Sequence, residues 1–511
     1  MPEKLTCLPE SAKPIFDERD TLPKPAPGYH IITWGCQMNE EDSEQMSLYL
    51  ERMGYTPVTD AAQAEVVLLN TCSVRAKPEE KVWSELGRLK ELKRDRPDMV
   101  IGVCGCMAQV ESVAIKQRAP YVDLVVGTGN IAAIPNLIRQ AKGLAADEED
   151  RRNGKHVEER LLIPLLPGRS TGRSAGPTLT ALELPPRKGA IVADIPQRAV
   201  ERKPKLKAHV PIMYGCDKFC TFCIVPFTRG RERSRPTTEI LEEIEGLARN
   251  GAKEVTLLGQ TVNSYGKNLP EGRVPFCALL EQIDAIRGIQ RIRFTSPYPR
   301  DFTDDLIDAI GRLETVCEHV HLPLQVADDD LLLEMHRGYT VARYQEIVEN
   351  LRARVPGIAI TTDIMLGYPG ETDAQFENTM RFVEEIRFDS AFMFAYSPRP
   401  NTKAAVLENQ IPQTVKVQRL NALIALQNRI TVEINQAQIG QTFEVLVEGR
   451  SQKDPDKLSG YTRTFKMVNF AVPSEGTRSA ESLIGKLVPV RVNHAHLTGF
   501  LGEYAEPTPR D

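Results

Sequence analysis

The chain has no long apolar run, few aromatic residues and no excess of charge of one sign. Aromatic residues make up 6% of its 511 residues, and the net charge is −5. No stretch approaches the roughly 18 apolar residues of a membrane-spanning helix. The N-terminus carries Glu3, Lys4 and several prolines where a signal peptide needs an apolar core. These absences argue against membrane insertion, secretion and a global basic field for nucleic acid, and predict a cytoplasmic chain.

Ten cysteines are present, and a cytosolic chain keeps them as thiols. Cys216, Cys220 and Cys223 are separated by three and two residues. Thiolates are ligands that suit iron–sulfur clusters and zinc. A structural zinc needs a fourth ligand, and neither His209 nor Cys277 lies at a usual spacing. The pattern therefore favours a four-iron cluster with one open iron, which can bind a small molecule.

The length predicts three or four domains. Residues 1–27, rich in proline and charge, are predicted to be a disordered leader. Residues 28–143 alternate apolar strands with amphipathic helices, which predicts a doubly wound parallel sheet. Residues 144–207 show no sustained apolar period and are predicted to be a linker or insert. The basic end at 202–207 is either a solvated tether or an arm that contacts RNA phosphates.

Three more cysteines, Cys36, Cys72 and Cys106, directly follow predicted strands of the first domain. Ligands gather at this edge of a parallel sheet, and neighbouring strands lie about 5 Å apart. The three thiolates are therefore predicted to hold one cluster, with inert buried cysteines as the alternative. Cys104 is expected to lie within its strand and not to bind. Three others have no partner at a metal-binding spacing: Cys7, Cys277 and Cys317.

Residues 208–437 alternate strands and helices again. Six strands are predicted there: Val210–Met213, Glu254–Leu258, Arg291–Thr295, His319–Leu322, Ile358–Met365 and Ala391–Ala395. In a parallel barrel the working residues lie at the carboxyl ends of the strands, where the Cys216–Cys223 loop also falls. His319 and His321 point the same way from one strand, and we expect them to pack rather than to bind a metal.

Four arginines follow the cysteine loop: Arg229, Arg231, Arg233 and Arg235. They form either a solvated loop or a guanidinium clamp for a phosphate or a carboxylate, and both interpretations stay open.

Residues 438–506 contain short strands of period two, which predicts a small β-barrel, followed by a tail at 507–511. The barrel carries candidate contacts for RNA phosphates and a base, the alternative being a solvated surface. These candidates are Arg450, Lys453, Lys457, Arg463 and Lys466, with Tyr461 and Phe465.

Five segments resemble the methylthiotransferase family of radical S-adenosylmethionine enzymes. They read WGCQMNEEDSE, LLNTCSVRAKPEEKV, VCGCMAQ, YGCDKFCTFCIVPFTRGRERSRP and FAYSPRPNTKAA. The resemblance covers residues 29–505 apart from the insert, and residues 438–506 resemble the RNA-binding TRAM domain. It implies an α/β multidomain chain whose central domain is a partial (β/α)6 barrel.

The resemblance also implies the ligands. Cys36, Cys72 and Cys106 would hold an auxiliary 4Fe-4S cluster, and the 216–223 cysteines the radical-generating one. Candidate S-adenosylmethionine contacts are Phe222, Gly259, Gln260, Asn263, Ser296, Gly367, Gly370 and Glu371. The family commonly has Gln-Ser-Gly-Ser where this chain has Gln325–Asp328, which leaves open the backbone contact made there by the usual glycine.

The implied reaction is methylthiolation of C2 of N6-(dimethylallyl)adenosine at position 37 of tRNA. The implied partners are a tRNA anticodon stem-loop and a small electron donor of the flavodoxin or ferredoxin class, with the chain as a monomer and the sulfur source open. Sister branches act on threonylcarbamoyl-adenosine in tRNA or on a ribosomal protein aspartate. An alternative of another class is a redox-sensing RNA-binding protein that holds clusters without turnover.

Overall fold

The computed structural model describes residues 26–73, 76–144, 178–184, 202–269, 272–471 and 479–506. The predicted tail, Cys7 and all but two residues of the predicted leader lie outside the described residues. Within them, no helix is both long enough and apolar enough to cross a bilayer.

The first domain is a sheet of six parallel strands in the order β2-β1-β3-β4-β5-β6. The strands are Gly28–Trp34 (β1), Thr56–Pro57 (β2), Val66–Thr71 (β3), Val100–Gly105 (β4), Leu124–Val126 (β5) and Leu179–Ala181 (β6). Its helices are Gln37–Arg52, Ala76–Asp95, Cys106–Arg118 and Ile134–Ala141. Separate apolar clusters cover the two faces of the sheet, and every residue of β3 and β4 is buried. The predicted doubly wound sheet is confirmed.

Strand β6 corrects the prediction that residues 144–207 form only a linker. Leu179 to Ala181 pairs with β5, and Ala181 is fully buried. The Gln109 side chain donates a hydrogen bond to the Leu182 carbonyl over 2.7 Å. A strand of three residues is too short to show a period in the sequence, which is why it was not predicted.

The central domain has eight strands, of which six form a parallel array. In chain order the eight are Lys207–Pro211 (β7), Met213–Tyr214 (β8), Arg233–Ser234 (β9), Glu254–Leu258 (β10), Arg291–Phe294 (β11), His319–His321 (β12), Ala359–Leu366 (β13) and Ser390–Ala395 (β14). Strands β7, β10 and β11 form one parallel sheet and β12 to β14 another. A parallel bridge between Ile292 and Val316 joins them, which gives the predicted partial barrel. Strands β8 and β9 pair antiparallel beside it.

Helices cover the outside of this barrel because one side of each strand is apolar. The helices are Val225–Thr228, Thr237–Arg249, Phe276–Asp284, Asp304–Arg312, Asp329–Glu334, Val341–Arg354, Asp373–Ile386 and Gln413–Gln436. Val255, Leu257 and Ile292 are fully buried in this layer. The other side carries many polar residues, among them Thr256, Arg293 and Thr361.

The C-terminal domain is a closed five-stranded barrel in the order β15-β16-β17-β19-β18. Its strands are Thr442–Arg450 (β15), Leu458–Thr462 (β16), Met467–Ala471 (β17), Leu487–His496 (β18) and Gly499–Tyr504 (β19). Valine, leucine and phenylalanine side chains fill its centre, so the predicted small β-barrel is confirmed.

The C-terminal barrel packs against the amino ends of the central strands. Arg291, the first residue of β11, has no exposed surface and donates to the Tyr461 carbonyl over 2.7 Å. Arg293 donates to the carbonyls of Arg463 and Thr462 over 2.7 and 2.8 Å. The small barrel therefore covers the end of the central barrel that lies opposite the cysteine loop.

Candidate metal centres

Three cysteines lie together at the carboxyl edge of the first sheet. Strands β1, β3 and β4 are neighbours in register, Trp34 pairing with Thr71 and Thr71 with Gly105. Cys36 follows β1 by two residues, and Cys72 and Cys106 directly follow β3 and β4. The strand order reverses between β1 and β3, the position where parallel sheets bind ligands. We call Cys36, Cys72 and Cys106 the strand-end trio.

Side-chain amides hold the strand ends of this trio in place. Asn39 donates to the Asn70 side chain over 3.1 Å, and Asn70 donates back to the Asn39 carbonyl over 2.8 Å. Gly105 has φ of +90°, and a Cβ there would lie 2.5 Å from Asn70 Oδ1. Only glycine fits this turn without strain.

Cys104 and Cys106 are both buried, but in different surroundings. Cys104 is fully buried in the apolar cluster with Met46, Leu68 and Leu124. Cys106 is the first residue of the helix Cys106–Arg118, outside that cluster. The structure thus places Cys104 within the strand, as predicted, and Cys106 at the turn.

The second set of cysteines, Cys216, Cys220 and Cys223, lies on the loop after β8, and we call it the loop trio. The Cys223 amide donates to the Cys220 carbonyl over 3.0 Å, and the Cys216 amide to the Gly230 carbonyl over 3.1 Å. Gly215 has φ of +71°, and a Cβ there would lie 2.0 Å from the Arg231 carbonyl oxygen. The loop therefore closes tightly on itself and brings the three thiols to one region.

Thiols in both trios are poorly hydrated. Burial raises the pKa of Cys106, although Arg229 opposes the effect. Burial also raises the pKa of Cys216 and, with the nearby Cys220, that of Cys223 to about 12. The positive charge of a bound metal cluster would offset this effect, because a coordinating thiol is deprotonated.

The donor sets fit iron–sulfur clusters better than zinc. Each trio supplies three cysteine side chains. Structural zinc gathers four ligands around a single ion. In a four-iron cluster each thiolate binds a different iron, so a trio holds three irons and needs no fourth protein ligand.

The two trios are joined by a buried ion pair. Arg229, six residues after Cys223, donates to Asp42 Oδ2 over 2.9 Å, and both side chains are 4% exposed. Burial alone would lower the Arg229 pKa, but Asp42, Cys106 and Cys36 raise it. Arg229 therefore places positive charge beside the strand-end trio from the segment that carries the loop trio.

The arginine segment is not a solvated loop, and the clamp for a phosphate or a carboxylate stays a prediction. Arg229, Arg233 and Arg235 are at most 4% exposed, so the segment is not a solvated loop. Arg235 donates to Glu243 over 2.7 Å. Arg231 pairs with both oxygens of Asp217. These guanidinium groups bind partners within the protein, which the sequence could not show.

The basic stretch 202–207 is likewise committed to carboxylates. Arg202 is buried and pairs with Glu44 of the first domain over 2.8 Å and with Glu243 of the central domain over 2.9 Å. Lys207 pairs with Glu448 of the C-terminal barrel over 2.5 Å. Arg202 and Lys207 therefore join the three domains and are not part of a solvated tether. Lys203 and Lys205 are 58% and 45% exposed, and contact of this stretch with RNA phosphates stays a prediction.

The candidate S-adenosylmethionine contacts lie at the carboxyl ends of the central strands. Two of them, Asn263 and Glu371, already make hydrogen bonds within the protein. The Asn263 side chain donates through Nδ2 to the Tyr298 carbonyl over 2.9 Å, and its Oδ1 accepts from the Tyr298 main-chain amide over 2.7 Å. Glu371 Oε2 accepts from Arg419 over 2.6 Å and from the Gly367 amide over 2.7 Å. Glu371 Oε1 is buried and has no hydrogen-bond partner among the described residues.

The glycines among these candidates make close contacts within the protein. A Cβ at Gly259 would lie 2.6 Å from Met213 Cγ, one at Gly367 2.4 Å from Lys416 Cγ, and one at Gly370 2.4 Å from Asn409 Nδ2. Their presence is therefore explained without a ligand. The other candidates are half-buried at the same end: Phe222, Gln260 and Ser296.

The departure at Gln325–Asp328 has a structural role. Gln325 takes φ of +74° and bridges to Ile364 of β13. Asp328 caps the next helix by accepting from the Leu331 amide over 3.2 Å. His319 and His321 both contact the Thr361 hydroxyl, which agrees with packing.

Four of the predicted RNA contacts lie instead between the two barrels. Arg463 binds Glu318 through two hydrogen bonds of 2.7 and 2.8 Å. Lys466 pairs with Asp389 over 3.0 Å. The Phe465 ring stacks between Tyr461 and His319. Arg463 and Lys466 are therefore paired with carboxylates of the central domain. Phe465 keeps 46% of its surface exposed, and with Tyr461 it stays a predicted base contact.

The remaining predicted RNA contacts lie elsewhere on the small barrel. Lys453 is exposed. Arg450 and Lys457 pair locally with Glu481 and Asp454.

Comparison with known proteins gives three domain matches. The profile of Uncharacterized protein family UPF0004 matches residues 28–127, that of the Radical SAM superfamily residues 210–383, and that of the TRAM domain residues 436–501. The radical S-adenosylmethionine methyltransferase TsrM from Kitasatospora setae has a similar fold. Its structure superposes with a TM-score of 0.51 at 14% identity over 75% of this chain and 77% of that one. The central domain is thus of the radical S-adenosylmethionine class.

Full-length relatives define the chain more narrowly. It is 45% identical to the tRNA-2-methylthio-N(6)-dimethylallyladenosine synthase of Moorella thermoacetica over 94% of this chain and 98% of the relative. The enzyme of the same name from Carboxydothermus hydrogenoformans is 44% identical over 93% of this chain and 99% of its own length. The chain belongs to the family of tRNA-2-methylthio-N(6)-dimethylallyladenosine synthases.

Proposed function

We propose that this protein adds a methylthio group to C2 of N6-(dimethylallyl)adenosine at position 37 of tRNA, beside the anticodon. The observation that carries the proposal is the match to two synthases of that name over nearly the whole chain. Two separate thiol trios support it, because a reaction that both opens an unactivated C–H bond and delivers sulfur needs two kinds of cofactor chemistry.

In this proposal each trio binds one 4Fe-4S cluster. Cys36, Cys72 and Cys106 hold the auxiliary cluster, and Cys216, Cys220 and Cys223 the other, each leaving one iron without a protein ligand. When bound, the loop-trio cluster and S-adenosylmethionine supply a carbon radical, and the strand-end cluster supplies sulfur.

The protein's own contribution is to position these groups. The Asp42–Arg229 pair sets the strand-end trio against the loop trio's segment. Glu371 Oε1, which is buried and has no hydrogen-bond partner among the described residues, would accept from the ammonium of S-adenosylmethionine. The candidates that line the same strand ends are Phe222, Gly259, Gln260, Asn263, Ser296, Gly367 and Gly370. Asn263 acts indirectly, by fixing the Tyr298 main chain.

The substrate and partners follow from the reaction. A base of the anticodon loop must leave its stack to reach the site, which suits single-stranded RNA recognition. The TRAM match supports binding of tRNA. We propose that the protein acts as a monomer in the cytoplasm and takes electrons from a flavodoxin- or ferredoxin-type protein.

Mass spectrometry of tRNA nucleosides from a strain that lacks this gene tests the function. The expected result is loss of the 2-methylthio nucleoside with accumulation of N6-(dimethylallyl)adenosine, reversed by the wild-type gene. Loss of the methylthiolated threonylcarbamoyl nucleoside, or of the ribosomal protein modification, would assign the chain to a sister branch. Absence of 5′-deoxyadenosine from the reduced protein with S-adenosylmethionine would favour the redox sensor.

A further inference from the structure

Arg337 is a buried arginine that neither the cysteine pattern nor the proposed reaction uses. It is 6% exposed and follows the short helix Asp329–Glu334. Its Nη1 donates to Cys220 Sγ over 3.4 Å.

The remaining contacts fix the orientation of this guanidinium. Nε donates to the Tyr339 hydroxyl over 3.0 Å, and Nη2 to the Pro323 carbonyl over 3.2 Å. The rings of Tyr298 and Tyr339 lie 4.9 and 5.3 Å from its central carbon. Each end of the planar fork therefore has its own partner, and Nη1 is directed at the sulfur.

The segment that carries Arg337 is also attached to the cysteine loop through the main chain. The Thr221 amide donates to the Met335 carbonyl over 3.1 Å, and the Thr221 hydroxyl donates to the Glu334 carbonyl over 3.1 Å. Thr221 directly follows Cys220, so these hydrogen bonds hold the segment of the arginine against that of the thiol. An arginine guanidinium stays protonated in proteins, so the group is charged.

We propose that Arg337 is a positioning residue that tunes the reduction potential of the loop-trio cluster through its hydrogen bond to Cys220. A cluster gains negative charge on reduction, and a buried cation that donates to its sulfur stabilises the reduced form. The inference rests on the proposed cluster at this trio. The step is transfer of one electron from a low-potential donor, a flavodoxin- or ferredoxin-type protein or dithionite, to the cluster. The donor is oxidised, and no bond is broken.

The test is an EPR-monitored redox titration of the anaerobically loaded full chain without S-adenosylmethionine. In Arg337→Gln, the reduction potential of one cluster is expected to fall by about 59 mV. For a one-electron couple, this lowers the ratio of reduced to oxidised cluster about tenfold at a fixed solution potential. The other cluster keeps its potential and serves as an internal reference. Arg337→Lys keeps the charge but loses the planar guanidinium, and it is expected to shift the reduction potential of the same cluster less.

Arg300→Gln is the matched control. Arg300 is exposed and lies against Gly338, so this change removes the same charge beside the same segment. It is expected to leave both potentials unchanged, because solvent and salt screen an exposed charge.

Three results would overturn the inference. One is an Arg337→Gln variant that holds as much iron as the wild type and whose loop-trio cluster has an unchanged reduction potential. If that variant does not hold iron, the same result in Arg337→Lys would count. Another is an unchanged potential with weakened binding of S-adenosylmethionine, which would assign Arg337 to that ligand. The third is a wild-type protein with no cluster at the loop trio, which alone would also end the proposed function.

Discussion

The two cysteine trios present the same donor atoms but are built in different ways. The loop trio lies within eight residues of one loop, whereas the strand-end trio comes from three strands spread over 71 residues of sequence. The loop trio depends on local turns around Gly215. The strand-end trio depends on the register of β1, β3 and β4 and on the hydrogen bond between Asn39 and Asn70. One site is therefore encoded by spacing, and the other by a fold.

The largest expected effect is the loss of reaction products when a cysteine of either trio is replaced, and the two trios should differ in which products are lost. Cys220→Ala removes a ligand of the loop trio and should abolish both 5′-deoxyadenosine and the methylthiolated nucleoside. Cys72→Ala removes a ligand of the strand-end trio and should abolish only the nucleoside. Both products are measured by mass spectrometry after anaerobic turnover. Cys104→Ala is the control and should keep both products, because Cys104 lies in the apolar core.

The next effect tests the pair that joins the trios. Asp42→Asn leaves the Arg229 charge buried with a weaker partner and is expected to lower the free energy of unfolding by about 3 to 5 kcal/mol. Urea denaturation measures this. Glu85→Gln, which breaks an exposed pair with Arg88, should change it by no more than about 0.5 kcal/mol. Equal effects of the two changes on the free energy of unfolding would show that the Asp42–Arg229 pair does not stabilise the packing of the two trios.

A third prediction compares the turns of the two trios. Gly105→Ala should cost about 1 to 3 kcal/mol and lower only the iron held by the strand-end trio. Gly215→Ala should act in the same way on the loop trio. Iron content of each variant after anaerobic reconstitution is the measurement. Gly87→Ala is the control, since nothing lies within 4 Å of a Cβ at that position, and loss of iron there would mean that the turns are not the cause.

The smallest effect concerns the contact of Glu44 with Arg202. Burial alone would raise the Glu44 pKa, but Arg202 and Lys205 lower it below its usual 4.5. The unfolded chain therefore takes up this proton first as the pH falls, and the stabilisation present above pH 4.5 is lost as the pH drops through the lowered pKa.

The variant Glu44→Gln isolates that contribution. The wild type should be more stable than the variant by on the order of 1 kcal/mol at neutral pH, and the difference should shrink below pH 4.5. Urea unfolding of cluster-free protein across this range measures it. A difference that does not change with pH would contradict the assignment.

The same contrast explains how much could be predicted from the sequence. Strand ends and cysteine spacings are local patterns, so both trios and the six central strands were predicted close to where they lie. The burial of Arg229 and Arg202 was not, because it depends on Asp42 and Glu44, which lie far away in the sequence. Arg463 was assigned to RNA for the same reason, since its partner Glu318 is 145 residues away.

The central claim is that each trio binds its own four-iron cluster. Iron, sulfide and zinc content of the anaerobically purified wild type, Cys72→Ala and Cys220→Ala tests it most directly. The account predicts about eight irons in the wild type, about four in each variant and no stoichiometric zinc. Four irons in the wild type, or zinc at the loop trio, would contradict it.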